Sequence, residues 1–375
     1  MELFHGLSAL TWQQLVMIGV GLLLIYLAIV KQYEPTLLLP MGFGTLLVNI
    51  PLSSALTHVL GGQIEVGAIS RLFELGIQTE LFPLLIFIAI GAMIDFTPLF
   101  QTPVTMVFGL MAQAGIFLTM GLAYSTGFFT IQEAAAIGII GAADGPTSIY
   151  VANRFAPQLL GSISVAAYSY MALVPIIQPP VIRLLTTEAE RRIPMPYREK
   201  KISKKTKILF PIVVTLVAGI LVPASASLIG FLMFGNLMRE SGVVDRLAQG
   251  AQNELANIVT ILLGLAISNK MTGEDFLQPM TLGIMGLGLV AFVLDTAAGV
   301  VTAKVLNLFR HTKINPMIGA AGISAFPMSS RVIQKMATEA DKHNFILMQA
   351  VGANVSGQIG SVLAGGLLLA FLAGF

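Results

Sequence analysis

The stretch Ile137 to Ala156, reading IGIIGAADGPTSIYVANRFA, sets a carboxylate, Asp144, between Gly141 and the pair Gly145-Pro146 in an otherwise apolar run. A charged group at membrane depth is expensive, and Gly-Pro beside it interrupts a helix and frees backbone carbonyls. Freed carbonyls and a carboxylate in apolar surroundings suit a hard cation. The plainer reading makes Asp144 the cap of a short helix starting near Pro146.

Working outward, the whole chain has the composition of a bilayer protein. Of its 375 residues 55% are hydrophobic and only 11% charged, with mean hydropathy +0.84. Soluble domains carry about 25% charged residues. The apolar runs are continuous rather than alternating, which excludes a transmembrane β-barrel. The expected class is an all-α polytopic protein of the cell (inner) membrane, its first span, Leu15 to Val30, retained rather than cleaved as a signal peptide because Glu2 and no basic cluster precedes it. A net charge of +2 gives no reason to expect nucleic acid, since the basic residues are concentrated in one loop. Cysteine is absent, so disulfides, thiolate chemistry and Cys-ligated metals are excluded. No G-x-x-x-x-G-K-S/T motif offers nucleotide hydrolysis.

Lys31 closes the first span and places the N-terminus outside. Leu37 to Ile50, with Pro40, Gly42 and Gly44, is short for a span of about 20 residues and is expected to be broken or tilted. Residues 51–80 read as extramembrane. Leu84 to Ile94 ends at Asp95, Val104 to Tyr124 is a span, and Leu159 to Val174 is expected to end at Pro175, Pro179 and Pro180. Residues 181–207 then hold nine of the chain's 21 basic residues: Arg183, Arg191, Arg192, Arg198, Lys200, Lys201, Lys204, Lys205 and Lys207. This loop is expected on the cytoplasmic side, as a topology signal or a surface for anionic lipid or an acidic partner. Six full crossings before it would put it outside, so one segment is expected not to cross: the stretch around Asp144, entering as a re-entrant element, or else Leu37 to Ile50.

The second half continues with Ile208–Val222, Leu228–Phe234, Ile258–Ile267, Leu282–Leu306, the region 314–330 and Ser356–Phe375. It echoes the first weakly. The run from Phe87 to Ile94 resembles that from Phe231 to Met238. Gly141-Ala-Ala-Asp144 resembles Gly319-Ala-Ala-Gly322, with Pro146 and Pro327 breaking both. Interrupted segments at corresponding places point to a midplane binding site between two inverted-topology repeats. The expected division is a membrane repeat over 1–180, a basic linker over 181–207 and a second repeat over 208–375.

Three groups of residues are candidates for chemistry. Besides Asp144, the second interrupted region INPMIGAAGISAFPMSSR, from Ile314 to Arg331, offers Asn315, Ser324, Ser329, Ser330 and Arg331. Arg331 has three readings: pairing with Asp144, anchoring a loop carbonyl, or snorkelling to headgroups. Gly319 to Gly322 also suit close helix packing. In GANVSGQIGS, from Gly352 to Ser361, Asn354 offers an amide oxygen to Na⁺ or K⁺ from an unwound backbone, or an interhelical hydrogen bond; Ser356 and Gln358 follow at two-residue steps, and in a helix the three would not all share one face. Asp295 is expected near the interface, and Asp95, Glu133 and Lys270 are solvated at segment ends. Tyr168 and Tyr170 form an interfacial belt or bond a core carboxylate. The four histidines, His5, His58, His311 and His343, are scattered, and no HExxH or G-x-S-x-G pattern suggests hydrolysis. This oxygen-rich set suits Na⁺ or a proton, and leaves a Na⁺-coupled secondary transporter, either a Na⁺/H⁺ antiporter or a Na⁺/carboxylate carrier, as an alternative.

The stretches EPTLLLPMGFGTLLVNIP, IGIIGAADGPTSIYVANRFAP, VAAYSYMALVPIIQPP, FGNLMRESGVVDRL, INPMIGAAGISAFPMSSR and GANVSGQIGS resemble the β subunit of the sodium-translocating biotin-dependent decarboxylases of oxaloacetate, methylmalonyl-CoA, glutaconyl-CoA and malonate. The likeness spans nearly the whole chain and is least around residues 55–80. It implies that Asp144 is the essential aspartate of the D-G-P-T motif and Tyr170 the tyrosine of S-Y-M-A-L-V-P. It also implies functional roles for Asn315, Gly319, Ser324, Arg331 and Asn354: Na⁺ binding by Asp144, Asn315, Gly319, Ser324 and Asn354, and contact with carboxybiotin by Tyr170 and Arg331, with Asp144, Tyr170 and Arg331 as the catalytic set. It further implies decarboxylation of carboxybiotin coupled to outward Na⁺ movement and proton consumption. Gln334-Lys335-Met336 is not a biotinylation motif, so biotin is expected on a biotin-carrier subunit. A carboxyltransferase subunit, a small single-span membrane subunit and a homotrimer of this chain complete the implied assembly.

Overall fold

A computed structural model describes residues 5–60, 63–196 and 201–373. Arg198 and Lys200 of the basic loop, Glu2, and the last two residues of the final apolar run lie outside that description. Among the described residues five helices are long and apolar enough to cross a bilayer: Trp12–Ile29, Thr105–Ser125, Asp245–Lys270, Pro279–Leu308 and Leu347–Leu372. Two further pairs are bent: Ala68–Gln78 with Leu81–Met93, by 64°, and Leu160–Ala172 with Val174–Leu185, by 70°. The only strands among the described residues form a small antiparallel hairpin, His58–Leu60 with Gln63–Glu65. The chain is an all-α multi-pass membrane protein, as its composition implied.

Its polarity is arranged accordingly. Leu216, Val217, Ile220 and Leu221 are exposed on the Lys204–Leu221 helix, as are Leu22 and Leu23 on the first. The interior instead collects small residues, among them Ala134, Ala135, Ala136, Ala142 and Ala143, together with buried polar groups. Lipid tails are as apolar as leucine, so helices associate through close packing and interhelical hydrogen bonds. The two echoing segments show this directly. Leu81–Met93 crosses Ala226–Ser241 at Gly91 and Gly235. A Cβ at Gly91 would overlap the Leu232 carbonyl oxygen, and one at Gly235 the Ile88 carbonyl oxygen. Asn236 locks the crossing by donating to the Ile94 carbonyl at 2.9 Å.

Several expectations need correction. Within residues 51–80, expected to lie outside the membrane, Ala68–Gln78 is helical, meets Leu81–Met93 at the 64° bend and buries Ile69, Phe73 and Ile77. The segment from Leu37 is neither broken nor kinked apart, because Pro35–Val48 is one short helix with Pro40 inside it. The helix after Leu173 does not stop at its prolines; Pro175 starts Val174–Leu185, and Pro179 and Pro180 sit within it. Proline's fixed φ suits a first helical turn. The chain therefore bends at Leu173 and continues into the linker. The two alternatives for the one segment expected not to cross overlap the two shorter apolar helices among the described residues, Pro35–Val48 and Ile131–Ala142.

The described part of the linker is held against the second interrupted region. Asn315 and Asn344 both donate to the Arg191 and Ile193 carbonyls, and Gln349 to that of Met195. Thr187 and Glu190 form a capping box, and Lys304 reaches Glu190 at 3.2 Å. Burial raises the Glu190 carboxyl, but the Thr187 amide, Lys304 and the Thr187 hydroxyl outweigh it and hold the group below its ordinary value. A depressed folded value means stability that is present above the unfolded pKa, about 4.3, and lost as pH falls through the folded one. Glu190→Ala is expected to lower stability by about 1 kcal/mol at neutral pH. In thermal unfolding the difference from wild type should shrink as the pH drops below about 4.

Candidate ion site at two interrupted segments

The first interruption is built by a change of helix type. Ile131–Gly138 tightens into a 3₁₀ turn, Ile139–Ala142, and then Ala143 takes a left-handed conformation, φ 53°. A residue with a Cβ holds that conformation at a cost of about 1–2 kcal/mol, so surrounding contacts must fix it. Asp144 follows in extended backbone and caps Gly145–Phe155. One oxygen accepts from the Thr147 amide at 3.1 Å. The other accepts from the Thr147 hydroxyl at 2.7 Å and from Ser361 at 2.6 Å. Asp144 is 3% exposed, and no Lys, Arg or His lies within ion-pair distance among the described residues. The capping reading and the buried-carboxylate reading are thus both true of the same side chain.

Ser148 donates to the Asp144 carbonyl at 2.8 Å and widens the hydroxyl set around the break. Gly145 is required because the Tyr168 ring lies where a Cβ would stand. The Tyr168 hydroxyl is buried without a partner. Neither tyrosine bonds the carboxylate, since Tyr170 donates instead to the Met285 carbonyl on the long Pro279–Leu308 helix.

The second interruption lies between Met317–Ala320 and Met328–Ala340 and contains the cis Phe326-Pro327 bond. Its carbonyls are clamped one after another by side-chain amides. Gln113 donates to Gly322 at 3.2 Å, Asn354 to Ile323 at 2.7 Å, and Gln358 to Ser324. The amide oxygens of all three are buried and lack partners. Ser324 donates its hydroxyl to the Gly357 carbonyl at 2.8 Å and its amide to the Ala142 carbonyl at 2.9 Å. That last bond joins the two interruptions directly.

Leu347–Leu372 supplies the shared wall. Asn354, Gln358 and Ser361 stand at i, i+4 and i+7, one helical face, and reach the second and then the first interruption. Asn354 does so from a continuous helix, not an unwound one. Ser356 turns away and donates to the Thr105 carbonyl at 3.1 Å. Ser361, Thr147 and Gln113 were missed in the sequence, and Gln358, named there beside Asn354, was set aside. Gln358 and Ser361 were legible in the spacing from Asn354 and Thr147 in the capping pattern after Asp144; nothing near Gln113 marks it.

Other expected residues lie apart from this cluster. Asn315 spends its amide on the linker, and its oxygen accepts from the Met317 amide at 3.1 Å. Gly319 packs reciprocally against Gly299 of the long helix. Arg331 is exposed at the start of Met328–Ala340 and does not pair with Asp144. Its charge acts on Glu34, just before the short Pro35–Val48 helix, whose carboxyl burial lifts above its ordinary value despite that pull. Asp295, expected at the interface, is buried in mid-helix. Among the described residues no three of His, Cys, Asp or Glu gather as a metal cluster, so any ion here would be held by one carboxylate with hydroxyl, amide and carbonyl oxygens.

Broken helices whose polar groups meet in the interior of a multi-pass helical protein define the class of ion-translocating membrane proteins. Residues 13–372 match the family described as the Na⁺-transporting oxaloacetate decarboxylase beta subunit. The chain is 46% identical to oxaloacetate decarboxylase beta chain 2 of Salmonella typhimurium, over 98% of this chain and 97% of that one. It is 50% identical to methylmalonyl-CoA decarboxylase subunit beta of Veillonella parvula, over 98% and 95%, and 46% identical to that of Propionigenium modestum, over 98% of each. The chain belongs to this family of beta subunits, membrane components of multi-subunit Na⁺-transporting decarboxylases.

Proposed function

We propose that this subunit decarboxylates carboxybiotin carried by a partner and couples that step to outward Na⁺ transport with proton uptake. The observation that carries the reading is Asp144: a buried carboxylate at a helix break, satisfied only by neutral donors. Each of those hydroxyls can rotate and turn a lone pair toward a cation. Na⁺ as cargo would be held by Asp144 with Thr147 and Ser361. The unpartnered amide oxygens of Asn354 and Gln358, with Ser324, extend the path across the Ala142–Ser324 bond. Asn315 and Gly319 then act on ion binding through the position of the second interruption.

Export of one Na⁺ against about 150 mV costs roughly 3.5 kcal/mol before any concentration term, and loss of CO₂ from carboxybiotin supplies the drive. The exposed guanidinium of Arg331 is available to steady the incoming carboxylate. Tyr170, tied to Met285, passes movement of the Leu160–Ala172 helix to the long one. The carboxylate of Asp144 takes the proton that replaces Na⁺. A linker hooked to Asn315 gives a docked partner leverage on the site. In this reading residues 1–180 and 208–375 are inverted repeats about the linker 181–207, and the chain forms a homotrimer with a biotin-carrier subunit, a carboxyltransferase subunit and a small single-span subunit.

The test uses membranes containing the whole complex. A streptavidin blot should label a partner and never this chain. Release of CO₂ should require that partner and fall at least tenfold when Na⁺ is withdrawn. Na⁺-independent release at the full rate would contradict the reading.

A further inference from the structure

The Pro279–Leu308 helix runs unbroken for 30 residues and buries Asp295 completely near its middle. Neither carboxylate oxygen has a hydrogen-bonding partner, and no cationic side chain pairs with it among the described residues. Its surroundings are glycines from the two elements that deliver the ion site. A Cβ on Gly141, three residues before Asp144, would come within 2.8 Å of Oδ2, and one on Gly115 would overlap Oδ1. Gly115 lies just past the break at Gln113 in the Thr105–Ser125 span. The amides of Gly115 and Ile116 are turned toward the carboxylate without completing hydrogen bonds.

We propose that Asp295 is a second intramembrane site, one that binds a proton rather than Na⁺, and that its occupancy follows the position of the 139–144 segment. The proposal rests on the Asp144 reading above. An unpaired charge in such a place is strongly disfavoured, so the group is the neutral acid in the conformation seen here. The neighbours do not suit a cation: the Gly115 and Gly141 Cα–H groups crowd the two oxygens, and the amides of Gly115 and Ile116 turned toward them are N–H donors, which repel it. Those same donors suit the anion. A small shift of the 3₁₀ turn that brings either amide into hydrogen-bond geometry, or admits water, favours loss of the proton. The step makes and breaks only one O–H bond, with the proton passing to or from water at that turn.

The elements packed against this helix carry few titratable groups. They are Tyr124, Glu133, Tyr168, Tyr170, Arg183 and, just beyond the 3₁₀ turn, Asp144; none bonds to Asp295.

The test is an infrared difference spectrum of the lipid-reconstituted complex with and without Na⁺, alongside equilibrium ²²Na⁺ binding. The wild type is expected to show a protonated-carboxyl band that changes on Na⁺ addition. Asp295→Asn should lose one component of that band, leaving the part due to Asp144, while binding ²²Na⁺ within about twofold of wild type. Asp295→Glu should keep the band at a shifted frequency, and decides the matter if the asparagine variant does not assemble. A band unchanged in both variants overturns the Asp295 proposal alone. Absence of any Na⁺-induced signal or ²²Na⁺ binding in the wild type overturns the Asp144 reading, and the proposal with it.

Discussion

Asp144→Asn is expected to abolish Na⁺ transport and CO₂ release together, while the complex still assembles. The amide is nearly isosteric and can still accept from the Thr147 amide, so the cap on Gly145–Phe155 survives in part. What disappears is the one negative charge of the cluster and one of the two strong acceptor oxygens shared by Thr147 and Ser361. A neutral amide cannot compensate a cation at this depth. Na⁺ affinity should fall at least about 100-fold, or roughly 2.8 kcal/mol. Thermal unfolding should shift by only a few degrees. Decarboxylation continuing at the wild-type rate in this variant would break the coupling claim; loss of assembly would instead assign Asp144 to folding.

Gly319→Ala and Gly299→Ala are expected to be equally damaging, and for the same reason. Each glycine faces the other's carbonyl: a Cβ on Gly319 would overlap the Gly299 oxygen, and the reverse holds for Gly299. Both obstacles are backbone, which cannot rotate away. The Met317–Ala320 helix would have to move off the long one, at a cost of about 1–3 kcal/mol or more. That movement would drag the clamped carbonyls of Gly322, Ile323 and Ser324 out of register with Leu347–Leu372. Both variants should lower melting temperature and activity in parallel. If Gly299→Ala were harmless while Gly319→Ala abolished transport at unchanged stability, Gly319 would serve the ion and not the packing.

The sequence made the two interruptions legible because they rest on local chemistry. Gly-Pro beside Asp144, and Pro327 after a run of small residues, disfavour a continuous helix locally, although Pro40, Pro179 and Pro180 sit inside helices elsewhere. Most of the long spans were equally plain from continuous apolarity, though Asp245–Lys270 runs well beyond the expected Ile258–Ile267. What could not be read was which side chains the folded chain would bring to those breaks. Gln113 sits more than 200 residues from the carbonyl it clamps, and no periodicity within Thr105–Ser125 marks it. Asp295 lies inside the expected span Leu282–Leu306 and was still assigned to the interface, because hydropathy records a charge and not what packs around it. Its depth follows only from the glycines of other segments. The mixed polarity of residues 68–78 is that of a helix packed on one face, and Phe73 even receives the Lys270 ammonium over its ring, 5.7 Å from the centroid. Asn315 and Arg331 stand apart from the Asp144 cluster, so the motif spacing did not translate into one coordination sphere.

The most direct measurement is simultaneous ²²Na⁺ uptake and CO₂ release in inverted membrane vesicles containing this chain with its partner subunits, with and without avidin. The expected result is uptake that needs a decarboxylatable acid, stays in fixed proportion to CO₂ released, and stops when avidin sequesters biotin. Uptake driven by a pH gradient alone and indifferent to avidin would make the chain a secondary exchanger and contradict the coupling of decarboxylation to Na⁺ export.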